Sequence, residues 1–205
     1  MALKTKVKIN RITNLTDARY CSGMYVDILG FSFEEGTPNY ISPTQFQEIT
    51  GWLAGIDFAA EFTDSDAYTI EKRLADYPGI SWIESTNLDA LIQLKSLGKG
   101  LIYRLDYQAI ESFLPQLAFL NDHQITLHLT SIDKLLSIDN KDFILEFSNK
   151  INLLLGYGIT PENASSLATI PGLVGFALDG GDEIKPGLRD FDQLGSILEN
   201  LELVD

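Results

Sequence analysis

The sequence has almost no cysteine: Cys21 is the one thiol in 205 residues. An internal disulfide is excluded, and a reducing cytoplasm fits. No run of about 18 uninterrupted apolar residues is present, so no membrane span is expected. The opening stretch MALKTKVKIN lacks an apolar signal core and leads straight into a strand pattern. Basic residues are scarce, with 15 Lys and Arg against 29 Asp and Glu, a net charge of −14. Nucleic acid is therefore not an expected partner, because Lys and Arg must replace the counterions of its phosphates. The acidity reads as solubility. Histidines number two, His123 and His128. No linker or low-complexity tract divides the chain, and 45% hydrophobic content suits one globular domain over 1–205.

What is present is a repeating unit. Val7 to Phe33 reads as strand, loop, helix, strand, with Thr13 or Asn14 as the cap, Leu15, Ala18 and Ser22 on one side, and Gly23 as the stop. The pattern continues. Ser42 and Pro43 open a helix carrying Phe46, Ile49 and Leu53 on one face. Further strands are expected at Ile56–Phe62, Ile80–Ile83, Leu101–Leu105, Ile125–Leu129, Ile151–Leu155 and Leu173–Leu178. Between them, Asp64 or Ser65 starts a helix with Tyr68, Ile70 and Leu74 apolar, and Leu88–Leu97 is stopped by Gly98. Gln108–Leu120 forms another, with a kink or split at Pro115. A short helix over 132–137 and a turn at Asp139-Asn140 follow. Thr160-Pro161 opens the next helix, and Phe191–Leu201 is the last.

Eight strands alternating with about eight helices give about 26 residues per unit, the spacing of a compact α/β (β/α)8 barrel. An open, doubly wound sheet is the competitor, because alternation alone does not show closure. In the barrel, chemistry sits at the carboxyl ends of the strands. Those ends supply Asn10 and Arg11, Glu34 and Glu35, Glu61, Glu84, Arg104 and Asp106, His128, Tyr157, and Asp179 with Asp182. Charged residues at strand ends are commonly solvated loop. Glu61 and Arg104 differ, because they lie inside apolar runs, and a charge facing the barrel axis needs a partner. His123 precedes its strand and reads as surface.

Two glycine loops follow the seventh and eighth strands, LGYGITPEN and LDGGDEIKPG. Phosphate sites in this fold are often built there from backbone N–H groups. Gly156 and Gly158 suit that role; Gly180 and Gly181 lie between Asp179 and Asp182, which would repel a phosphate.

These residues carry a resemblance. VKINRITNLTDA resembles the opening of the phosphoribosylanthranilate isomerase family, whose first strand reads Val-Lys-Ile-Cys-Gly-Ile-Thr. Leu29-Gly30-Phe31 with Phe33 and Tyr40-Ile41-Ser42-Pro43 resemble its second strand and second helix start. GYGITPENA resembles its Gly-Gly-Leu-Thr-Pro-Glu-Asn-Val phosphate loop, and PGLRDFDQL its ending. The match is concentrated in about the first 45 and last 55 residues, and it implies the (β/α)8 barrel.

The resemblance implies an Amadori rearrangement in tryptophan biosynthesis, opening an aminoribose ring to an aminodeoxyribulose without cofactor or metal. In the family a first-strand cysteine is the base, a sixth-strand aspartate the acid, and an arginine after the second strand the carboxylate clamp. Here Asn10 stands for the cysteine, Arg11 for the following glycine, Asn39 for the arginine, and His128 roughly for the aspartate. Asn140-Lys141-Asp142-Phe143 is a remnant of the family's sixth loop. Asn10 and His128 are thus the candidate catalytic positions. Arg11, Asn39, Glu61, Glu84 and Arg104 are candidate substrate contacts. Gly156, Gly158, Asp179, Gly180 and Gly181 form the candidate phosphate loops. Three functions remain open: a weak or inactive isomerase homologue, a degenerate barrel that binds or regulates, and a different sugar-directed enzyme using His128 with Glu61, Glu84 or Asp106. The expected partner is a small phosphorylated sugar or related molecule, and the expected state a cytoplasmic monomer or homodimer.

Overall fold

The computed structural model describes residues 2–131, 144–180, 183–185, 188–189 and 191–203. Its strands are β1 (Lys6–Asn10), β2 (Ile28–Ser32), β3 (Asp57–Glu61), β4 (Ile80–Ser85), β5 (Gly100–Asp106), β6 (Ile125–Thr130), β7 (Leu153–Leu155) and β8 (Leu173–Asp179). They form a closed barrel in chain order, every pair parallel. Closure is made by β1 against β8, with Val7 beside Phe176 and Asn10 beside Asp179. The open sheet is therefore excluded. A small antiparallel pair, β9 (Glu183–Lys185) with β10 (Leu188–Arg189), follows the barrel. No helix among the described residues is long and apolar enough to cross a membrane.

The helices are α1 (Leu15–Gly23), α2 (Pro43–Thr50), α3 (Ala67–Leu74), α4 (Leu88–Gln93), α5 (Ile110–Phe113), α6 (Leu117–Asp122), α7 (144–148), α8 (Pro161–Leu167) and α9 (Asp192–Leu201). Local chemistry sets their ends. Asn14, not Thr13, caps α1 by accepting the Asp17 N–H at 2.9 Å. Ser42 and Gln45 close a reciprocal capping box with Pro43 at the first position. α3 starts later than expected, because Asp66 rather than Asp64 or Ser65 accepts the Thr69 N–H at 2.8 Å. Tyr68 is 73% exposed, so Ile70 carries the buried face of that helix instead. Pro115 splits the fifth helix as expected, with a 3-10 turn at Leu114–Gln116 between α5 and α6. The expected helix over 132–137, the turn at Asp139-Asn140 and the segment Asn140–Phe143 lie outside the described residues.

The core has two parts. Outward-facing strand residues such as Val7, Ile9, Leu29, Leu127 and Leu155 pack beneath the helices in one large shell. Inside the barrel, Ile102, Leu154 and Ala177 form a separate small cluster, with Trp82 and Val174 against it. Above that layer the interior turns polar. The register places Ala177 beside Lys8, Ile102 beside Glu84, and Leu154 beside His128. Lys8, Glu84 and His128 are all buried, at 0%, 0% and 1% exposure. Charged groups so placed must be paired.

Gly30 on β2 is what leaves room for that pairing. A Cβ there would overlap Glu61 Oε1 and come within 2.8 Å of Lys8 Nζ. Gly30→Ala is expected to destabilise the protein by about 1–3 kcal/mol, the range for overpacking a filled interior. Gly23→Ala, where an added Cβ meets nothing within 4 Å, is expected to be neutral or stabilising, since Ala is the better helix former. Urea denaturation of the two variants checks the difference.

Candidate functional site at the carboxyl end of the barrel

A cavity of about 710 Å³ opens at the carboxyl ends of the strands. Asn10, Arg11, Asn39, Glu61, Arg104, His128, Gly156, Gly158, Asp179 and Gly180 all line it. Glu84 lies at its base, fully buried and in contact with both Arg104 and His128. Gly181, like Asp182, lies outside the described residues. Other strand-end residues serve the scaffold. Glu34 accepts the Thr63 N–H at 2.9 Å and the Ser65 hydroxyl at 2.7 Å, and Glu35 pairs with Arg73 at 3.2 Å. Asp106 accepts the Gln108 N–H at 2.9 Å and so caps the turn that follows β5.

The centre of the site is Lys8, which the strand-end inventory does not contain. Its ammonium pairs with Glu61 Oε1, lies 3.1 Å from Glu84 Oε2, and donates to Asn10 Oδ1 at 2.6 Å. The signal for it was the alternation of VKIN. Val7 and Ile9 face the helices, so Lys8 and Asn10 must face the barrel interior. Burial pulls the Lys8 ammonium down, but Glu61 and Glu84 more than reverse this and hold it above its ordinary value. Burial likewise opposes charge on Glu84. Lys8, then His128 and Arg104, outweigh it and hold the carboxyl well below the usual range.

Around Glu84 the geometry is that of an oriented imidazole. His128 Nδ1 lies 3.2 Å from Glu84 Oε2, and Arg104 Nη1 lies 3.3 Å from Oε1. An ionised carboxylate only accepts, so Nδ1 is the donor in this contact, and in the neutral form of the ring Nε2 is then the acceptor. Nε2 is buried and has no hydrogen-bond partner among the described residues. A Cβ on Gly156 would come within 2.5 Å of it, so this glycine makes room for the imidazole.

The mouth is held by a second pair. Arg11 Nη2 contacts Asp179 Oδ2 at 2.6 Å, and Asn10 Nδ2 donates to Asp179 Oδ1 at 3.1 Å. Partial burial would raise the Asp179 carboxyl; Arg11 first, and the Asn10 amide, hold it below its ordinary value. Asp179 is therefore not an unopposed repulsive charge, although its side chain stays 44% exposed to solvent. Arg11 sits at φ +53°, in the left-handed region that costs a residue with a Cβ about 1–2 kcal/mol. Its backbone N–H to Glu61 Oε2, at 3.1 Å, helps hold it there.

The loop after β7 offers fewer donors than its glycines suggest. The Gly156 N–H is taken by Leu129 O at 2.8 Å, and the Thr160 N–H by Asn163 Oδ1 at 2.8 Å. Aligned on Thr160-Pro161-Glu162-Asn163, Tyr157 stands where the family motif has its first glycine. It is 3% exposed, and its hydroxyl has no hydrogen-bond partner among the described residues.

A closed parallel barrel with a polar, charge-paired cavity at its carboxyl end is the architecture of the (β/α)8 enzymes. The chain matches no protein-family model. It is 24% identical over 198 residues to the N-(5'-phosphoribosyl)anthranilate isomerase of Geobacter sp. (strain M21), covering 93% of this chain and 94% of that one. It is 25% identical over 208 residues to the enzyme of the same name from Gloeothece citriformis (strain PCC 7424), covering 96% and 93%. A solved phosphoribosyl anthranilate isomerase, in complex with reduced 1-(o-carboxyphenylamino)-1-deoxyribulose 5-phosphate, superposes with a TM-score of 0.77. That likeness spans 96% of this chain and 98% of that one at 21% identity, and it speaks for the fold. The resemblance read from the sequence therefore holds: the chain is a divergent relative of the phosphoribosylanthranilate isomerases.

The ion-pair centre makes stability depend on pH in a defined way. Glu84, with its folded value depressed, contributes stability above the ordinary carboxyl range and loses it as pH falls through the folded value. Lys8, with its value raised, contributes below the ordinary lysine range and loses it only as pH rises through the folded value. Both are in place at neutral pH. In Lys8→Met, Glu61 keeps only the Arg11 N–H as a partner. The variant is expected to lose about 3–5 kcal/mol at pH 8. Thermal melts of variant and parent at pH 8 check the loss.

Proposed function

We propose that this chain descends from the isomerase of tryptophan biosynthesis and no longer carries out the Amadori rearrangement at a useful rate. The observation that carries the reading is Asn10. Its amide oxygen accepts from Lys8 and its amide nitrogen donates to Asp179. An amide cannot act as a base toward a substrate proton near neutral pH, and both ends of this one are committed. The curated relatives' shared name supports the lineage. Asn39 cannot supply the guanidinium fork that grips a carboxylate. In this reading Arg11, Glu61, Glu84 and Arg104 are positioning or binding residues.

Loss of one acid–base partner costs about 10²–10⁴-fold in rate. Turnover of phosphoribosylanthranilate by the purified protein is therefore expected to lie at least about 10³-fold below that of a family member with the cysteine, aspartate and arginine intact. Steady-state kinetics on the two proteins side by side is the test, and equal turnover would overturn the reading.

His128 favours a second reading, a different sugar-directed enzyme. Glu84 orients its ring, and Nε2 has no hydrogen-bond partner among the described residues. Any sugar isomerisation found should then vanish in His128→Asn while the fold, followed by circular dichroism, is kept. A binding or regulatory barrel uses the same cavity without proton transfer, and it predicts ligand binding with no turnover.

A further inference from the structure

We infer that the barrel mouth takes an uncharged polyhydroxylated ligand, a free sugar or sugar alcohol, with His128 Nε2 accepting one of its hydroxyls. This rests on the reading that the isomerisation of a doubly anionic substrate has been lost, and it names what the same cavity accepts instead.

Three observations carry it. First, the cavity's cations are spent. Lys8 is held by Glu61 and Glu84, Arg104 lies against Glu84, and Arg11 against Asp179. Among the described residues, three cations face three carboxylates, so the cavity carries no surplus positive charge to draw an anion in. The chain as a whole, at −14, adds repulsion to any anionic ligand. Second, two of the backbone donors in the loop after β7 are already committed. The Gly156 and Thr160 N–H groups have protein acceptors, and the Tyr157 ring occupies the place of a glycine in that loop. Third, among the described residues that line the cavity, His128 Nε2 and the Tyr157 hydroxyl are buried without a hydrogen-bond partner, and neither belongs to a carboxylate. A buried polar group left unpaired is costly, and a ligand hydroxyl supplies what each lacks. Ser32, Thr37, Asn39, Thr63, Thr130 and Gln193 complete a lining of hydroxyls and amides, the groups that exchange hydrogen bonds with a polyol without bringing charge.

The two histidines make the test direct. His123 lies outside the barrel, its ring stacked on Phe119 at 4.0 Å between centroids, and serves as the internal control. Protein labelled at histidine with nitrogen-15 is titrated with D-ribose, D-ribulose, D-xylulose and D-fructose, and with the phosphate ester of each. At least one free sugar is expected to shift the His128 Nε2 signal saturably at millimolar concentration, with His123 unmoved. Its phosphate ester should bind at least about tenfold more weakly. Asp179→Asn, which releases Arg11, should narrow or reverse that preference. Tighter binding of the ester than of the free sugar by the unaltered protein would overturn the inference, as would the absence of any His128 response to all four free sugars. Phosphoribosylanthranilate turnover measured on the same preparation separates the two readings. Ordinary turnover overturns the lost isomerase, whereas absent turnover with no sugar response overturns only the ligand class.

Discussion

The structure depends on one buried cation. Lys8 enters the barrel from β1 and is removed from water on every side. Bringing an ammonium and two carboxylates into such a place costs several kcal/mol for each ion. The cost is offset only when attraction and hydrogen bonding are nearly complete. That condition explains features that otherwise look unrelated. Gly30 has no side chain because the Lys8–Glu61 pair occupies the space. Asn10, two residues along the same strand, turns its oxygen toward the ammonium. Glu84 touches Lys8, His128 and Arg104 together. Each of these choices is forced by the need to leave no charge unpaired.

The same constraint reaches the chemistry. Once Lys8 fixes the Asn10 oxygen, the Asn10 nitrogen must point toward β8, where Asp179 receives it. Arg11 pairs with the same carboxylate from a left-handed backbone position, at a rim where both side chains are nearly half exposed. The chain thus runs from the barrel interior to its rim as one alternating sequence of donors and acceptors. Networks of this kind rigidify a site when every member is satisfied. They also consume the groups that a reaction would use. An amide serves such a network well, because it donates and accepts at once; a thiol has only a weak donor and a weak acceptor to offer.

Much of the fold was legible in the sequence, and the reason is local. Pro43, Pro115 and Pro161 marked helix starts and a break through their own geometry. Apolar runs marked the strands after β1 because both faces of a parallel sheet are covered, while β1 showed as an alternating stretch. Closure was not legible from alternation, since it is a contact between the first and last strands. The site was legible in part. Strand-end position picked out Asn10, Glu61, Arg104, His128 and Asp179, all of which line the cavity. Lys8 escaped because it lies two residues short of the strand end, where only the inward alternation of VKIN marks it. The Arg11–Asp179 pair escaped because its members are far apart in sequence and only closure brings them together.

Gly156 shows how one residue can satisfy two explanations of which only one is structural. In the sequence it belongs to a glycine loop of the kind that cradles phosphate. In the fold its N–H is committed to Leu129, and its missing Cβ is what admits the His128 ring. A phosphate loop and an imidazole make different demands on this position. The first needs a free amide and open space above it; the second needs only the absence of a side chain. The structure meets the second demand and not the first. The next position agrees, since a glycine loop would leave open the space that Tyr157 occupies with a buried ring. The barrel and its outer helical shell are those of the isomerase relatives, while the mouth is organised around a histidine and a closed set of ion pairs. Fold and site are separable in this architecture, because the strands carry the former and their last residues carry the latter. Substitution at a few strand ends is therefore enough to change what the barrel can bind while the packing between strands and helices stays as it was.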